Sequence, residues 1–374
     1  MNSYKLLTPG PLTTTDTVKQ VMLFDHCTWD DDYKQITQTI RRTLLALGHV
    51  SEPEYTAVLM QGSGTFGVES VLTSVIGRED KLLIAANGAY GLRMAEICRH
   101  AGIAYALYEQ DNHKRPQADV VAKYLAEDPA ITHVSMVHGE TTSGILNDVE
   151  AVGRVVKAAG KTFLVDAMST FGGVDIPVAG WGIDFLVSSA NKCIQGVPGF
   201  SFILANREKL EASAGQARSL ALDLYDQWKT MNEDGKWRFT SPTHVVLAFS
   251  KALDELEAGG ASPPGTAAMP RTTACSLRRC APWDLPHTST GAARAPSSPP
   301  SSIPPGYPSS SPSFTPTSRS GATSSTRASS PMQIPSGWAT SERSTRRILR
   351  NLLPSSPASW PPIRRRSHDP GRHL

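Results

Sequence analysis

"DFLVSSANKCIQGVPGFSFILA", residues 184–205, sets a single lysine, Lys192, between two short apolar runs. "DFLVSS" and "FSFILA" have the length and the Val, Ile and Phe content of buried strands. Between them the chain is small and tight: Ser188, Ser189 and Ala190 come before the lysine, and Gly196, Pro198 and Gly199 after it. A lysine beyond a strand is ordinarily a solvated surface group. Here the small neighbours leave room for a ligand, and an amine kept partly out of water is a better nucleophile than one in bulk solvent.

Moving outward, further apolar runs of the same kind are "AVLM" (57–60), "KLLIAA" (81–86), "AYALY" (104–108), "HVSMV" (133–137) and "TFLVD" (162–166). Amphipathic stretches lie between several of them. "TFGVESVLTSVIG" carries Phe66, Val68, Val71, Leu72, Val75 and Ile76 at helical spacing, and "DVEAVGRVVKAAG" ends on Gly160, a helix stop. Strands alternating with helices predict an α/β fold with a mainly parallel, seven-stranded sheet covered on both faces. In such sheets reactive groups gather at the carboxyl ends of the strands. "VVLAFSKALDELEAGG" (245–260) reads as a helix leaving this domain.

Three other places belong with Lys192. Asp166 ends the run "TFLVD"; alone it reads as a helix cap, but a strand-end carboxylate and a strand-end amine together suit a pyridine aldehyde. The amine condenses with the aldehyde, and the carboxylate keeps the ring nitrogen protonated so that the ring accepts electrons. Ser63, Gly64 and Thr65 open a helix in "QGSGTFGVES", where backbone N–H groups and the helix dipole favour a phosphate, although a capped helix after a glycine turn is the plainer reading. Tyr90 in "ANGAYGLR" could lie on a planar ring or simply pack on the core. Glu140, Thr141, Thr142 and Ser143 in "VHGETTSGIL" could bond a phenolic oxygen or form a turn.

The composition divides at residue 261. Residues 1–261 hold 23 Lys+Arg against 31 Asp+Glu, net −8; residues 262–374 hold 14 against 3, net +11, which together give the chain's +3. Of the 28 prolines, 20 fall in the second part, where serine abounds, lysine is missing and periodicity stops. That composition predicts a disordered, basic Pro/Ser/Arg tail. It is also what a shifted reading frame in GC-rich DNA yields, so a frameshift near residue 262 is expected. Read two bases later, codons permitted for residues 332–352 restore a folded-looking sequence that includes "TFRMGNIG". The tail's aromatics (Trp283, Tyr307, Phe314, Trp338 and Trp360) are sparse and no RGG run occurs, so nucleic acid is not an expected partner. Five cysteines without metal or disulfide spacing, no long apolar span and no basic-then-apolar leader point to a cytoplasmic protein with no metal and no membrane partner.

The ordered set GSGT, ANGAYG, HGETTSG, VDAMS and SANK resembles the class V, fold-type I pyridoxal-phosphate aminotransferases over residues 4 to 261. Within that family "LLTPGPLTTTDTVKQVMLFDHCTWDDDY", "HGETTSGILND", "VDAMSTFGG" and "SSANKCIQGVPGF" are most similar to members acting on 2-aminoethylphosphonate and pyruvate. The resemblance implies pyridoxal 5'-phosphate as cofactor, with Lys192 as Schiff-base lysine and proton shuttle and Asp166 at the ring nitrogen. Tyr90 would stack on the ring and Thr142 would lie near the phenolic oxygen. Ser63, Gly64, Thr65 and Asn191 would hold the phosphate, and Thr240 would reach the cofactor of the other subunit of a homodimer. It divides the chain into an N-terminal segment (1–20), a cofactor-binding large domain (21–245), a linking helix (246–261) and the tail (262–374), which stands where the family's small C-terminal domain belongs. The arginine that would grip the substrate anion falls in the shifted reading, across the codons of Ser336 and Gly337, so impaired cofactor binding and aggregation are expected. Alanine–glyoxylate, serine–pyruvate and cysteine-desulfurase chemistries share the Asp–Lys frame; the last wants a reactive loop cysteine, and none is evident.

Overall fold

A computed structural model describes residue 6 and residues 8–259. The expected tail, its frame change and the arginine of the shifted reading lie outside the described residues.

Two helices, α1 (Asp16–Gln20) and α2 (Asp31–Leu47), precede β1 (Tyr55–Gln61). Next come α3 (Gly64–Val75), β2 (Lys81–Ala86), α4 (Ala89–Ala101), β3 (Ala104–Glu109), α5 (Ala118–Glu127) and β4 (Ile131–Val137). A small hairpin of β5 (Gly139–Glu140) and β6 (Ile145–Leu146) leads into α6 (Val149–Ala158) and β7 (Thr162–Asp166). They are followed by β8 (Phe185–Ser189), β9 (Phe200–Asn206), α7 (Arg207–Ala212), α8 (Leu224–Glu233) and α9 (Thr243–Ala258).

The main sheet has seven strands in the order β1-β9-β8-β7-β4-β2-β3. Strands β3, β2, β4, β7 and β8 pair in parallel, and β9 runs antiparallel to both neighbours. The mainly parallel seven-stranded sheet read from the sequence is therefore present, each run matching a strand to within two residues at either end. Strands buried on both faces explain why those runs were continuously apolar rather than alternating: every residue of Ala57–Met60, Leu82–Ala86 and Phe185–Ser189 is buried. Because β1, β2, β4, β7 and β8 share one direction, their carboxyl ends all open on the same edge.

Helix α9 is seated on the sheet by aromatic contacts. Phe249 lies edge-on to Phe200 at 5.0 Å between ring centroids and tilted against Phe202 at 5.7 Å, while Phe202 meets Phe171 at 5.6 Å. Each such pair contributes about 0.5–1.5 kcal/mol beyond its burial. Helix α6 presses against the loop before β8. A Cβ on Gly153 would lie 1.9 Å from the Trp181 carbonyl oxygen, so only glycine permits that approach.

Gly153→Ala is expected to lower stability by about 2–3 kcal/mol, the scale of forced overpacking against backbone. Urea unfolding of the full chain measures it; an unchanged midpoint would show that α6 is not seated as described.

Candidate active site

Five carboxyl-end segments converge. Strand β7 ends in Asp166, in register with Val137 of β4 and Val187 of β8. The backbone there is tied on both sides: the His138 N–H donates to the Asp166 carbonyl at 2.8 Å, and the Ala167 N–H to that of Val187 at 2.9 Å. The carboxylate is 5% exposed. Its Oδ1 accepts the Met168 N–H at 2.9 Å, and no donor among the described residues reaches Oδ2. Burial raises the Asp166 pKa from its ordinary 3.8 to about 6; the Met168 N–H opposes this, Glu140 adds to it, and the positive charges of Lys192 and Arg93 oppose it.

Lys192 sits in the turn after β8, closed by the Gln195 N–H on the Lys192 carbonyl at 2.8 Å and the Gly196 N–H on that of Ala190 at 2.9 Å. The side chain is half-buried, and that burial lowers its pKa against the opposing charges of Asp166 and Cys193. Amine and carboxylate thus act on each other, as their strand-end positions require. Over the lysine lies the N-terminal loop: a Cβ on Gly10 would come within 2.4 Å of Lys192 Cδ and 2.9 Å of Nζ, so a side chain there would displace the lysine.

Ser63 caps α3 without turning its hydroxyl back onto the helix, which leaves that hydroxyl and the Gly64 and Thr65 N–H groups without partners among the described residues, while the Phe66 N–H donates to the Ser63 carbonyl at 2.9 Å. Gly64 abuts Met168, where a Cβ would fall 2.4 Å from the sulfur. Tyr90 lies in the first turn of α4, half-buried, with the Arg93 guanidinium 4.9 Å from its ring centroid. Arg93 also donates weakly to Thr65 Oγ1 at 3.5 Å, so Tyr90, Thr65 and the Asp166 neighbourhood are joined through one cation. Thr142 stands in the turn between β5 and β6, its hydroxyl donating to Glu140 Oε1 at 2.5 Å. It therefore presents lone pairs, not its hydrogen, to anything placed on its open side. Asn191 is half-buried beside Lys192.

Thr240 is set apart. It is exposed in the loop before α9, with no hydrogen bond to the other site residues, while its neighbour Ser241 is buried against the Tyr33 hydroxyl at 2.6 Å. Sequence reasoning passed over Arg93 and Gly10 as site residues. The three-residue spacing of Tyr90 and Arg93 on one helix face was a readable signal; the approach of Gly10 to a lysine far along the chain was not. A cleft of about 750 Å³ opens at the amino ends of the strands between Tyr55, Lys161, Asp184 and Arg207. Two of its cations are already paired, Lys209 with Asp184 at 2.8 Å and Arg207 with Glu211 at 2.9 Å, and it lies away from Lys192.

Residues 27–264 match the aminotransferase class-V family. The chain belongs to the class-V aminotransferases. It is 61% identical over 261 residues to 2-aminoethylphosphonate–pyruvate transaminase of Lysinibacillus sphaericus, covering 70% of this chain and 71% of that protein. The enzyme of that name from Klebsiella pneumoniae is 56% identical over 263 residues, with the same coverage. In fold it is similar to ureidoglycine–glyoxylate aminotransferase of Bacillus subtilis, with a TM-score of 0.63 at 23% identity over 70% of this chain and 68% of that one. Alanine–glyoxylate aminotransferase of Nostoc gives 0.64 at 22% identity over 70% of each. Family membership makes the chain a pyridoxal 5'-phosphate enzyme, and the donor set fits the cofactor. Asp166 Oδ2, on a buried side chain, has no donor among the described residues and would accept from a cation, Lys192 is an amine partly out of water, and the amino end of α3 offers N–H groups to an anion.

The raised Asp166 pKa sets a sign. Its contribution to the stability of the cofactor-free chain is fully present below about 3.8 and is lost as pH rises through about 6, because the ionised form is the desolvated one. A cationic ring nitrogen requires that ionised form, so stabilisation by cofactor should be larger at pH 8 than at pH 5. Asp166→Asn should stabilise the cofactor-free chain at neutral pH by about 1–3 kcal/mol while weakening cofactor binding at least about tenfold. Thermal unfolding with and without cofactor at the two pH values reads both effects. Equal stabilisation at both, or wild-type affinity in the variant, contradicts the assignment.

Proposed function

We propose that this chain transfers the amino group of 2-aminoethylphosphonate to pyruvate, yielding phosphonoacetaldehyde and L-alanine, in the cytoplasm. The observation carrying this reading is the buried Asp166 carboxylate and the partly desolvated Lys192 amine at adjacent strand ends, in a chain 61% identical to an enzyme of that name.

When bound, the cofactor supplies an electron sink for the bond broken at the amine-bearing carbon. The chain's residues do the rest. Lys192 Nζ anchors the cofactor, then takes the proton from that carbon and holds it for return; burial favours the neutral amine that both tasks need. Asp166 Oδ2 holds the cationic nitrogen. Ser63, Gly64, Thr65 and Asn191 would hold the phosphate, Tyr90 the ring, and Thr142 would stand beside the phenolic oxygen. The loop at Gly10 would cover part of Lys192.

A homodimer is part of the proposal. Leu23, Phe24, Trp29, Phe66 and Phe239 leave large apolar surface in water, and two of them adjoin Thr65 and Thr240 in sequence. A second copy would cover such surface and bring Thr240 to its neighbour's site. Light scattering should give twice the chain mass; a monomer at micromolar concentration removes Thr240 from the site. We also propose the domain division at residue 261 and the frame change beyond it, which sequencing of the coding DNA tests.

Full-length protein supplied with cofactor should form alanine from 2-aminoethylphosphonate and pyruvate, and borohydride should fix the cofactor on the Lys192 peptide. Lys192→Ala should lose alanine formation by about a thousandfold or more. Alanine formed from serine but not from the phosphonate would assign the chain to a carboxylate amine donor instead.

A further inference from the structure

Glu140 is buried at the centre of this site, 1% exposed, and no cation among the described residues forms an ion pair with it. Three donors converge on it. Oε1 accepts the Thr142 hydroxyl at 2.5 Å and the Thr142 N–H at 3.2 Å, and Oε2 accepts the Tyr90 N–H at 3.2 Å. The Ala89 N–H closes the ring of contacts on Thr142 Oγ1 at 3.4 Å. The turn from β2 into α4 rests on the carboxylate, since a Cβ on Gly88 would lie 2.4 Å from Glu140 Cγ and 2.8 Å from Thr142 Oγ1.

Two separate pieces of chain thus meet at one side chain: the hairpin β5–β6, which carries Thr142 and Glu140 itself, and the turn into α4, whose first turn carries Tyr90. Without Glu140 the Tyr90 N–H is one of the unpaired first-turn donors of α4, and the turn bearing Thr142 loses both its N–H and its hydroxyl partner. An acidic group at a helix amino end is also favoured by the helix dipole, which accounts for a buried carboxylate held by hydrogen bonds alone.

We infer that Glu140 is a positioning residue: it fixes Tyr90 and Thr142 relative to each other so that both meet one flat ligand, the cofactor of the reading above, on which this inference rests. Glu140 touches neither substrate nor cofactor; it acts through the two residues that do. Glutamine in its place keeps two of the three accepted bonds at best, because whichever way the amide turns, its NH₂ faces one of the N–H donors.

The test uses the full chain and cofactor binding rather than turnover. Titration of the cofactor-free protein, followed by tryptophan fluorescence, gives affinity, and visible circular dichroism of the bound cofactor reports how rigidly its ring is held. Glu140→Ala should weaken binding roughly a hundredfold and remove more than about half of the visible signal; Glu140→Gln should weaken it about tenfold, on the scale of one lost hydrogen bond to a charged group. In a double-mutant cycle with Thr142→Val the losses should not add, because both changes break the same link. The Gly153→Ala chain, destabilised elsewhere, should keep affinity and signal, which separates positioning from general loss of stability. Wild-type affinity and signal in both Glu140 variants, or losses that add fully to those of Thr142→Val, would overturn the inference with the transaminase reading intact. If the wild-type chain takes up no cofactor at all, the reading and the inference fall together.

Discussion

A carboxylate held out of water is expensive unless a positive charge meets it. At Asp166 the cost is built in. The side chain is fixed at the last residue of a strand flanked by strands on both sides, so it cannot swing out to solvent, and one of its oxygens has no donor among the described residues. Burial outweighs the help from the Met168 N–H, from Lys192 and from Arg93. Such a site is complementary to a cation the protein itself does not supply, and the protonated nitrogen of the family's cofactor has that charge.

The same constraint orders the surroundings. Lys192 lies one strand over from Asp166, near enough for the carboxylate to oppose the lowering of its pKa by burial. Glu140, a second buried acid behind the site, makes the region more negative still, and Arg93 returns part of the balance from the face of Tyr90. In the proposed roles these charges pull in two directions: they favour binding a cation at Asp166 but also hold the proton on the nearby amine, and it is burial that pushes Lys192 towards its neutral form. Neutralising the site with a further lysine would ease the electrostatic cost and remove the reason for the cofactor to bind.

The sheet was readable because most of its strands are buried on both faces, which prints a continuous apolar run into the sequence; only the edge strand β3 is largely uncovered. Asp166 and Lys192 were readable because each interrupts the chain just where such a run stops. Tyr90 was visible between glycines, yet its place inside the first turn of α4 was not, since Asn87 and Gly88 just before it favour turns. Glu140 stood in a quoted motif, but its function depends on an N–H fifty residues earlier in the chain, and backbone donors leave no trace in side-chain identity. The roof over Lys192 was invisible for the same reason. Gly10 matters by what it lacks, and a missing Cβ points at no particular partner until the fold brings one close.

That roof is held from the far end of the described chain. The loop carrying Gly10 continues into α1, whose cap, Thr15, donates to Glu255 of α9 at 3.0 Å, with Thr17 bonded to the same carboxylate. Val18 of α1 is buried. Those exposed hydrogen bonds contribute little individually, about 1 kcal/mol each; what makes them effective is that α9 is already immobilised by Phe249 on the aromatic face of β9. The path runs from a phenylalanine cluster to a helix, from the helix to a threonine cap, and from the cap to a glycine lying on the reactive amine. The contact of Gly10 with Lys192 is therefore tied through α1 to packing on α9, a helix that has no residue among those of the proposed site.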